Sequence, residues 1–388
     1  MIGPSRSTYA SCPTWQLARW RQHSASSSSR RLPLVVRGPW TREARELAAA
    51  RDVRDAFIRY FRKAIKSRNW TPWDDFPIAE IRARGDQLSE DTVIFLEASL
   101  GVEDYVGDYV EDGLNILNGR RVRRQMQIAW GNEELKHAEA WEQVLLHSGR
   151  RTAEQLEAYR EQVAAHTWRM RDEHPGLDTP LGVACYAMVQ ERATYYNYEE
   201  TRKRIRAEYS LPEKLTEVER QQGRQIGAAH AVKLVANDEI AHHGIFLEMV
   251  KIYLRYLPYD TLDTLLKVIK GFKMPALNLI PNASELAAFM QRTLMHTPLK
   301  QVRFVQNPIL DALGLQGRRA LERAVQESKL LPAGLGPEHV VLGRTGEFII
   351  ANRPESAESP ADVGEMSETA SPAGTVRVDE AVASPADD

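Results

Sequence analysis

The sequence has few of the features that mark membrane, disulfide-rich or nucleic-acid-binding proteins. No apolar run approaches the roughly 20 residues that a helix needs to span a bilayer, so we expect no membrane span. Only two cysteines occur, Cys12 and Cys185, which excludes a disulfide scaffold and a cysteine-based zinc site. A net charge of −2 gives no reason to expect nucleic acid as a partner. These absences favour a soluble protein of a reducing compartment.

The two ends of the chain differ in composition from its middle. Residues 1–42 hold seven arginines, eight serines and no acid. This composition fits a basic disordered arm, an extension from a misplaced start codon, or an organelle transit peptide. Residues 354–388 hold nine acids against one arginine, with repeated Ser, Ala and Pro. We therefore place the folded domain at 43–330 and a C-terminal extension at 331–388, disordered from about 354.

The middle of the chain predicts an all-α fold. It is rich in Ala, Leu, Glu, Arg and Gln, and its apolar residues recur at helical spacing with little strand alternation. Turn signals such as Asn118-Gly119 and His174-Pro175-Gly176 separate the segments. The expected helices are 43–67, 89–117, 121–147, 152–172, 178–208, 215–256 and 260–271. Helices of this length favour one domain built on a helix bundle.

Four of these helices carry acids on a stripe that is otherwise apolar when read in steps of three and four. The residues on these stripes are Glu103, Glu134 with His137, Glu191, and Glu239 with His242. Burying one lone carboxylate costs several kcal/mol, so four cannot share a dry interior unless protons, arginines or cations compensate them. Two divalent cations would neutralise all four glutamates, and residues at i and i+3 can reach one ion.

The Glu-x-x-His spacing is weak evidence by itself, because chance alone can produce such a pair. The conjunction is stronger: both pairs lie on apolar stripes, both follow another acid (Glu133 or Asp238), and each comes after a lone stripe glutamate. The alternative is a set of solvated helix faces with a coincidental phase. Oxygen-rich ligands with one imidazole per ion suit iron or manganese better than structural zinc.

The residues around these acids resemble those of the soluble acyl-acyl-carrier-protein desaturases. The resemblance covers about residues 45–285. Its motifs are Asn69-Trp70-Thr71-Pro72, Glu133-Glu134-Leu135-Lys136-His137, Gln190-Glu191-Arg192-Ala193-Thr194, Asp238-Glu239-Ile240-Ala241-His242 and Lys273-Met274-Pro275-Ala276. The resemblance implies a ferritin-like four-helix di-iron bundle with additional flanking helices.

The resemblance also implies two Fe²⁺ ions per chain and a role for each site residue. Glu134 and Glu239 would bridge the two ions, and Glu103 and Glu191 would bind one ion each. His137 and His242 would complete the two ligand sets. Asp238, hydrogen-bonded to His137 with Trp70 nearby, would orient that imidazole and offer an electron route. Thr194 would face the oxygen-binding side and help to deliver a proton. A threonine at such a position is also often a packing residue bonded to a carbonyl one turn back.

The activity that the resemblance implies is O₂-dependent desaturation of a saturated fatty acyl chain on acyl carrier protein, giving a cis mono-unsaturated product. Ferredoxin would supply electrons, since no Gly-x-Gly-x-x-Gly motif for flavin or nicotinamide is evident. A homodimer is also implied. The acidic carrier needs a basic landing site, although every candidate is also explained as a solvated helix end. These candidates are Arg62, Lys63, Lys66, Arg68, Arg120, Arg121, Arg123, Arg124, Lys267, Lys270 and Lys273.

Two departures from plant members of the family stand out. Val102 precedes Glu103 where plant members have a threonine, so any polar role there is lost. The gap between Glu191 and Glu239 is longer, and the excess falls within the charged stretch 201–225, where it could alter the dimer surface or carrier docking.

Other functions remain open at this point. The same ligands could serve another di-iron oxygenase or oxidase, such as an N-oxygenase or a protein like a ribonucleotide reductase small subunit. Trp141 stands where that subunit usually has its radical tyrosine, which counts against it. A non-catalytic iron-binding ferritin-like protein is the third reading, which the chain length disfavours. We expect a cytoplasmic location, or the plastid stroma if 1–42 are a transit peptide.

Overall fold

The computed structural model describes residues 40–350 except 294 and 296, and 73% of these residues are helical, with almost no strands. The elements are α1 Arg42–Ser67, α2 Pro72–Asp75, α3 Ile78–Ala83, α4 Glu90–Glu103, α5 Val106–Ile116, α6 Arg121–His147, α7 Ala153–Ala164, α8 Met170–Glu173, α9 Pro180–Glu208, α10 Glu217–Gln222, α11 Ala228–Tyr256, α12 Pro258–Gly271, α13 Ala283–Thr293, α14 Pro298–Lys300, α15 Asn307–Ala312, α16 Gly317–Ser328, β1 Val340–Leu342 and β2 Phe348–Ile350. The predicted all-α class is confirmed. The arm before Trp40 and the acidic tail lie outside the described residues, and the domain boundaries stay a prediction.

Helices α4, α6, α9 and α11 form the central bundle. Helix α9 packs along α11, and α4 packs against α6. Buried side chains from all four helices fill the layers between them, among them Leu96, Trp141, Met188, Val235 and Phe246. Helices α1 and α5 flank α6, and α12 packs on α9. The predicted four-helix bundle with flanking helices is confirmed.

Local sequence signals determine where several helices begin. The Ser89 hydroxyl accepts the backbone N–H of Thr92 and caps α4. Thr152 and Gln155 form a capping box at the start of α7, and Thr216 and Glu219 form another at α10. Each cap satisfies N–H groups that the first helical turn leaves without a partner.

The structure interrupts three helices that the sequence predicts as continuous, so those predictions were wrong in detail. The predicted helix 215–256 is split between α10 and α11, where Gly223 and Gly227 adopt φ values of 67° and 57°. Glycine tolerates this left-handed conformation, which a helix interior does not contain. The predicted helix 89–117 breaks after Glu103, where the Tyr109 hydroxyl donates to the Val102 carbonyl at 3.0 Å and replaces a helical partner.

The third interruption, in the predicted helix 152–172, has a tertiary cause. Helix α7 ends at Ala164, and two acids of α5 bind the backbone that follows it. The Trp168 N–H donates to Asp108 Oδ2 at 2.7 Å, and the Met170 N–H donates to Asp112 Oδ2 at 2.9 Å. Periodicity within one segment cannot reveal contacts of this kind.

The chain after Gly271 forms helices and strands that were not predicted from the sequence. Helices α13 to α16 follow, and α16 packs on α12 through buried Leu321, Ala324 and Val325. Strands β1 and β2 pair antiparallel, with Val341 opposite Ile349. Within residues 40–350, apart from the two that are not described, no helix is both long enough and apolar enough to cross a membrane.

A buried ion pair holds the charged stretch 201–225. Arg206 and Glu219 are 1% and 0% exposed and form a direct salt bridge. Arg206 also donates to the carbonyls of Pro212 and Lys214 at 2.7 and 2.9 Å. Burial alone would raise the pKa of Glu219, but hydrogen bonds from Arg206 and Thr216 outweigh it and lower the pKa to about 2.

We expect Glu219→Ala to lower the free energy of unfolding by about 3–5 kcal/mol at pH 7, because it leaves a buried guanidinium unpaired. Since the pKa of Glu219 is lower in the folded state, its stabilising effect is present above the unfolded pKa of about 4.3 and is lost as pH falls toward 2. Denaturant unfolding at pH 7 and pH 3 tests this. The exposed Glu217→Ala variant is the control and should change stability by less than about 0.5 kcal/mol. An equal effect of both substitutions would contradict the prediction.

Candidate metal centre

The six predicted metal ligands lie together at the centre of the bundle, and each is at most 6% exposed. They form two groups of four, within each of which one donor atom per residue lies within 4.8 Å of the others. The groups are Glu103, Glu134, His137 and Glu239, and Glu134, Glu191, Glu239 and His242. Glu134 and Glu239 belong to both groups, which is the placement that bridging carboxylates require. These buried groups could bind metal ions.

Each imidazole directs one nitrogen toward the acids. His137 Nδ1 lies 3.1 Å from Glu134 Oε2 and 3.2 Å from Glu239 Oε1. His242 Nδ1 lies 2.8 Å from Glu134 Oε1 and 3.7 Å from Glu191 Oε2. On α6, the spacing of three residues therefore places Glu134 beside His137, as helical geometry predicts. The remaining contacts cross between helices, since Glu239 of α11 lies beside His137 and Glu134 of α6 lies beside His242.

The other nitrogen of each imidazole faces an outer acid. His242 Nε2 is hydrogen-bonded to Glu133 Oε2 at 2.7 Å, and His137 Nε2 lies 3.6 Å from Asp238 Oδ2. Each outer acid comes immediately before a shared glutamate, on the helix opposite to the imidazole that it faces. Helices α6 and α11 thus support each other's histidine, and such partners orient an imidazole and raise its basicity.

The predicted neighbours Trp70 and Asp238 are in direct contact. The Trp70 indole N–H donates to Asp238 Oδ2 at 2.9 Å, and its ring lies parallel to that of His137 with centroids 6.2 Å apart. The Asp238–His137 contact of 3.6 Å is longer than a hydrogen bond. The structure therefore places the three predicted residues together, with the tryptophan closest to the carboxylate.

Thr194 makes the bond that a packing role would predict. Its hydroxyl donates to the backbone carbonyl of Gln190, one turn back, at 3.1 Å. The same hydroxyl accepts from the side-chain amide Nε2 of Gln190, also at 3.1 Å. It is nevertheless one of the residues that line a cavity beside the acids. The proton-delivery role therefore stays a prediction.

Several residues of the site were not identified from the sequence. The Tyr198 hydroxyl donates to Glu103 Oε1 at 2.8 Å, and the Trp130 indole N–H donates to Glu191 Oε1 at 2.9 Å. Both aromatic residues lie on the apolar stripes of their helices, so their spacing could have predicted that they face the site. Tyr60 and Arg68, which contact Glu133, gave no such signal because α1 carries no predicted ligand.

The electrostatics of the cluster show why it requires compensation. Burial raises the pKa of Glu103 to about 8, with a further rise from the charge of Glu134. Burial and the charges of Glu134 and Glu191 hold the pKa of Glu239 well above its ordinary value. For Glu134, burial acts upward, but His137 and His242 outweigh it and hold its pKa well below the ordinary value. Without cations, the cluster therefore cannot keep all its carboxylates ionised.

The donor set also fits a metal ion because several of its buried atoms form no hydrogen bond. Five inward-facing atoms make no contact with hydrogen-bond geometry within the described part of the chain, although His242 Nδ1 lies 2.8 Å from Glu134 Oε1. These atoms are Glu134 Oε1, Glu191 Oε2, both carboxylate oxygens of Glu239, and His242 Nδ1. An unsatisfied buried polar atom costs about 1–3 kcal/mol, so five of them in one place need an explanation. Carboxylate oxygens and imidazole nitrogens are suitable ligands for a divalent transition metal.

A cavity of about 780 Å³ adjoins the cluster. Glu103, Glu134 and Thr194 form part of its wall. The rest is mainly apolar and includes Phe95, Val102, Trp130, Tyr186, Phe246, Leu286 and Met290. Exposed Lys273 and Asn278 also line it, which places an opening just after α12. A cavity of this size and composition is typical of a site for an apolar small molecule.

The fold and site define a helical-bundle protein with a buried carboxylate–imidazole cluster, a candidate metal site, beside an apolar cavity. A family model described as fatty acid desaturase matches residues 63–309, a range that contains all six candidate ligands. The chain belongs to this family, which is that of the soluble acyl-acyl-carrier-protein desaturases, and is therefore an oxidoreductase. A comparison with curated protein sequences finds no match.

Proposed function

We propose that this protein desaturates a saturated fatty acyl chain carried on acyl carrier protein, giving a cis double bond, with O₂ as oxidant and ferredoxin as electron donor. The observation that carries the proposal is the position of the cavity. Glu103 and Glu134 belong to the candidate metal groups and also form part of the cavity wall. An acyl chain in the cavity would therefore lie directly beside the metal centre.

Two Fe²⁺ ions would be held by the six clustered residues, with Glu134 and Glu239 shared. Their four positive charges would balance the four carboxylates and leave both imidazoles neutral. When bound, the ions supply the redox chemistry that removes hydrogen from an unactivated CH₂–CH₂ pair, which side chains alone cannot do.

The protein's own residues would bind and orient the substrate. The apolar walls hold the chain in one position and exclude water, which lowers the entropic part of the barrier. The Thr194 hydroxyl, which is bonded to Gln190 at the cavity wall, would pass a proton toward the acids. Asp238 and Trp70 would orient His137 and connect it toward the protein surface for electron entry.

Among the predicted carrier-docking residues, Lys273 is distinguished by lining the cavity opening. Lys267 is paired with Asp263 at 2.9 Å, and Lys270 with Glu322 at 3.6 Å. An exposed cation at the opening would attract the phosphate of the carrier's prosthetic arm and the acidic carrier surface. We therefore propose Lys273 as the carrier contact that enters the site.

We expect Lys273→Glu to raise the KM for acyl carrier substrate by about tenfold, with little change in kcat, because it reverses a docking charge and leaves the metal centre intact. The control is Lys267→Glu, on the same part of the chain but not at the cavity. Steady-state kinetics at low and high salt provide the measurement, since screening should shrink the difference between variants. An unchanged KM would remove Lys273 from the proposed docking surface.

The proposed homodimer is supported by an exposed apolar stripe on α1. Leu47, Ile58, Phe61 and Ile65 lie on one flank of the helix and are 39–68% exposed. Leu135, on the neighbouring α6, is 52% exposed. Soluble monomers rarely leave such patches uncovered, and a second copy of the chain would bury them. Sedimentation of the full chain and of a Phe61→Glu, Ile65→Glu double variant tests this.

The activity itself is tested with the full chain, reconstituted with iron and given reduced ferredoxin, O₂ and a stearoyl or palmitoyl carrier. We expect two irons per chain and a cis mono-unsaturated acyl product. Two irons without unsaturation of any acyl carrier would retain the metal centre and discard the substrate, in favour of another oxygenase or oxidase. Iron that accumulates without any oxidised product would favour an iron-binding protein.

A further inference from the structure

Arg68, the residue that caps the end of α1, contacts both outer acids of the candidate metal centre. Its Nη2 atom lies 3.2 Å from Glu133 Oε2, and its Nε atom lies 3.3 Å from Asp238 Oδ1. The side chain is only 11% exposed. Its guanidinium carbon lies 4.9 Å from the centroid of the Tyr60 ring, which covers one face of the group. The guanidinium is therefore held in one place by three different partners.

These contacts connect the two imidazoles through one side chain. Glu133 is hydrogen-bonded to His242 at 2.7 Å, and Asp238 lies 3.6 Å from His137. The connection thus runs from His242 through Glu133 to the guanidinium by hydrogen bonds. From the guanidinium it continues through Asp238 to His137 by close charge contacts that do not have hydrogen-bond geometry. Arginine is suited to this position because its planar group offers several donors in fixed directions.

The outer layer of the site, formed by Glu133, Asp238, Arg68 and Lys136, is balanced in charge by itself. Glu133 and Asp238 add two negative charges to the four inner glutamates. Arg68 and Lys136, whose Nζ lies 3.3 Å from Asp238 Oδ2, add two positive charges. With two divalent cations bound, the six carboxylates are then matched by six positive charges.

We propose that Arg68 is a positioning residue that fixes both candidate metal-binding imidazoles at once. The inference rests on the proposed metal site. It separates Arg68 from its neighbours, because each of the other outer groups, Trp70 among them, contacts one acid only. Lys136 contacts Asp238, and the Tyr60 hydroxyl donates to Glu133 Oε2 at 2.6 Å. Substitutions of these two residues are therefore matched single-sided controls.

The test is a titration of the metal-stripped full chain with Co²⁺, followed by absorption and by proton NMR of the paramagnetic product. In the wild type, we expect two bound Co²⁺ ions and two hyperfine-shifted exchangeable protons, one on the outer nitrogen of each imidazole. Lys136→Gln should perturb one of these resonances and Tyr60→Phe the other. Arg68→Gln should perturb both and weaken both binding steps by about 10–100-fold, the range typical of lost outer partners.

Arg68→Lys keeps the charge but can reach only one acid at a time, so it should retain the fold and perturb both resonances with a smaller loss of affinity. Circular dichroism of the metal-stripped variants checks folding, and Arg68→Lys decides the matter if Arg68→Gln does not fold. If the wild type binds two Co²⁺ ions but the Arg68 variants leave both resonances and both affinities unchanged, the role of Arg68 is overturned and the proposed metal centre is retained. A wild type that binds no Co²⁺ at the buried site would overturn the proposed metal centre itself.

Discussion

Glu134→Gln and Glu239→Gln are both expected to abolish binding of the metal pair, yet to change the stability of the metal-free protein in opposite directions. Each variant loses a carboxylate that belongs to both metal groups, so desaturation should fall by more than the ~100-fold that loss of an outer partner can cause. In the metal-free state, Glu134 pairs with two imidazoles, whereas Glu239 is repelled by other acids.

The sign of each stability change follows from the pKa shifts. Since the folded pKa of Glu239 is raised, its ionisation favours the unfolded state above about pH 4.3, and Glu239→Gln should stabilise the metal-free protein by about 1–3 kcal/mol at pH 7. Since the folded pKa of Glu134 is lowered, its stabilising effect is present above that pH, and Glu134→Gln should destabilise by a similar amount. The difference for Glu239→Gln should shrink as the pH falls from 7 toward about 4.3, and the difference for Glu134→Gln should shrink as the pH falls below that value.

Denaturant unfolding of metal-stripped protein and iron counting after reconstitution measure both effects. The control is Glu139→Gln on the same helix, a partly exposed acid that lies 3.6 Å from Arg160. It should keep both irons and alter stability by less than about 0.5 kcal/mol. Full iron binding by either glutamine variant would show that the shared carboxylates are not the bridging ligands.

Ala187→Phe is expected to shorten the acyl chain that the enzyme accepts. Ala187 lies one turn before Glu191 on α9, is 8% exposed and lines the cavity. A phenyl ring there would occupy space that a long acyl chain needs while leaving all six candidate ligands unchanged. Because one misfitting methylene in an apolar site costs about 1–3 kcal/mol, kcat/KM for the longest substrate should fall by about 10–200-fold.

Competition between acyl carriers of different chain length provides the measurement, together with iron content. Shorter chains should lose less activity than the longest chain, because they need less of the cavity. Ala207→Phe, an exposed position on the same helix, is the matched control and should leave the chain-length profile unchanged. If activity falls equally for all chain lengths while iron is retained, the ring blocks entry of the substrate, and this part of the cavity does not determine which chain length is accepted.

The sequence by itself identified the acid-bearing helices and their six inward-facing residues. This was possible because helical periodicity is local: a glutamate on an apolar stripe faces the interior wherever the helix packs. The cost of burying carboxylates then pointed to cations without knowledge of the neighbours. The four groups lie on separate helices, and the structure brings all of them together as these two arguments predicted.

Only the tertiary structure decided which other side chains complete the site. Arg68 and Tyr60 reach Glu133 from α1, and Tyr198 reaches Glu103 across the bundle. The cavity opening at Lys273 and the end of α7 depend likewise on segments far apart in sequence. Contacts of this kind are made between elements, so the spacing of residues within one element carries no record of them. The sequence determined which residues face inward, and packing determined what they meet.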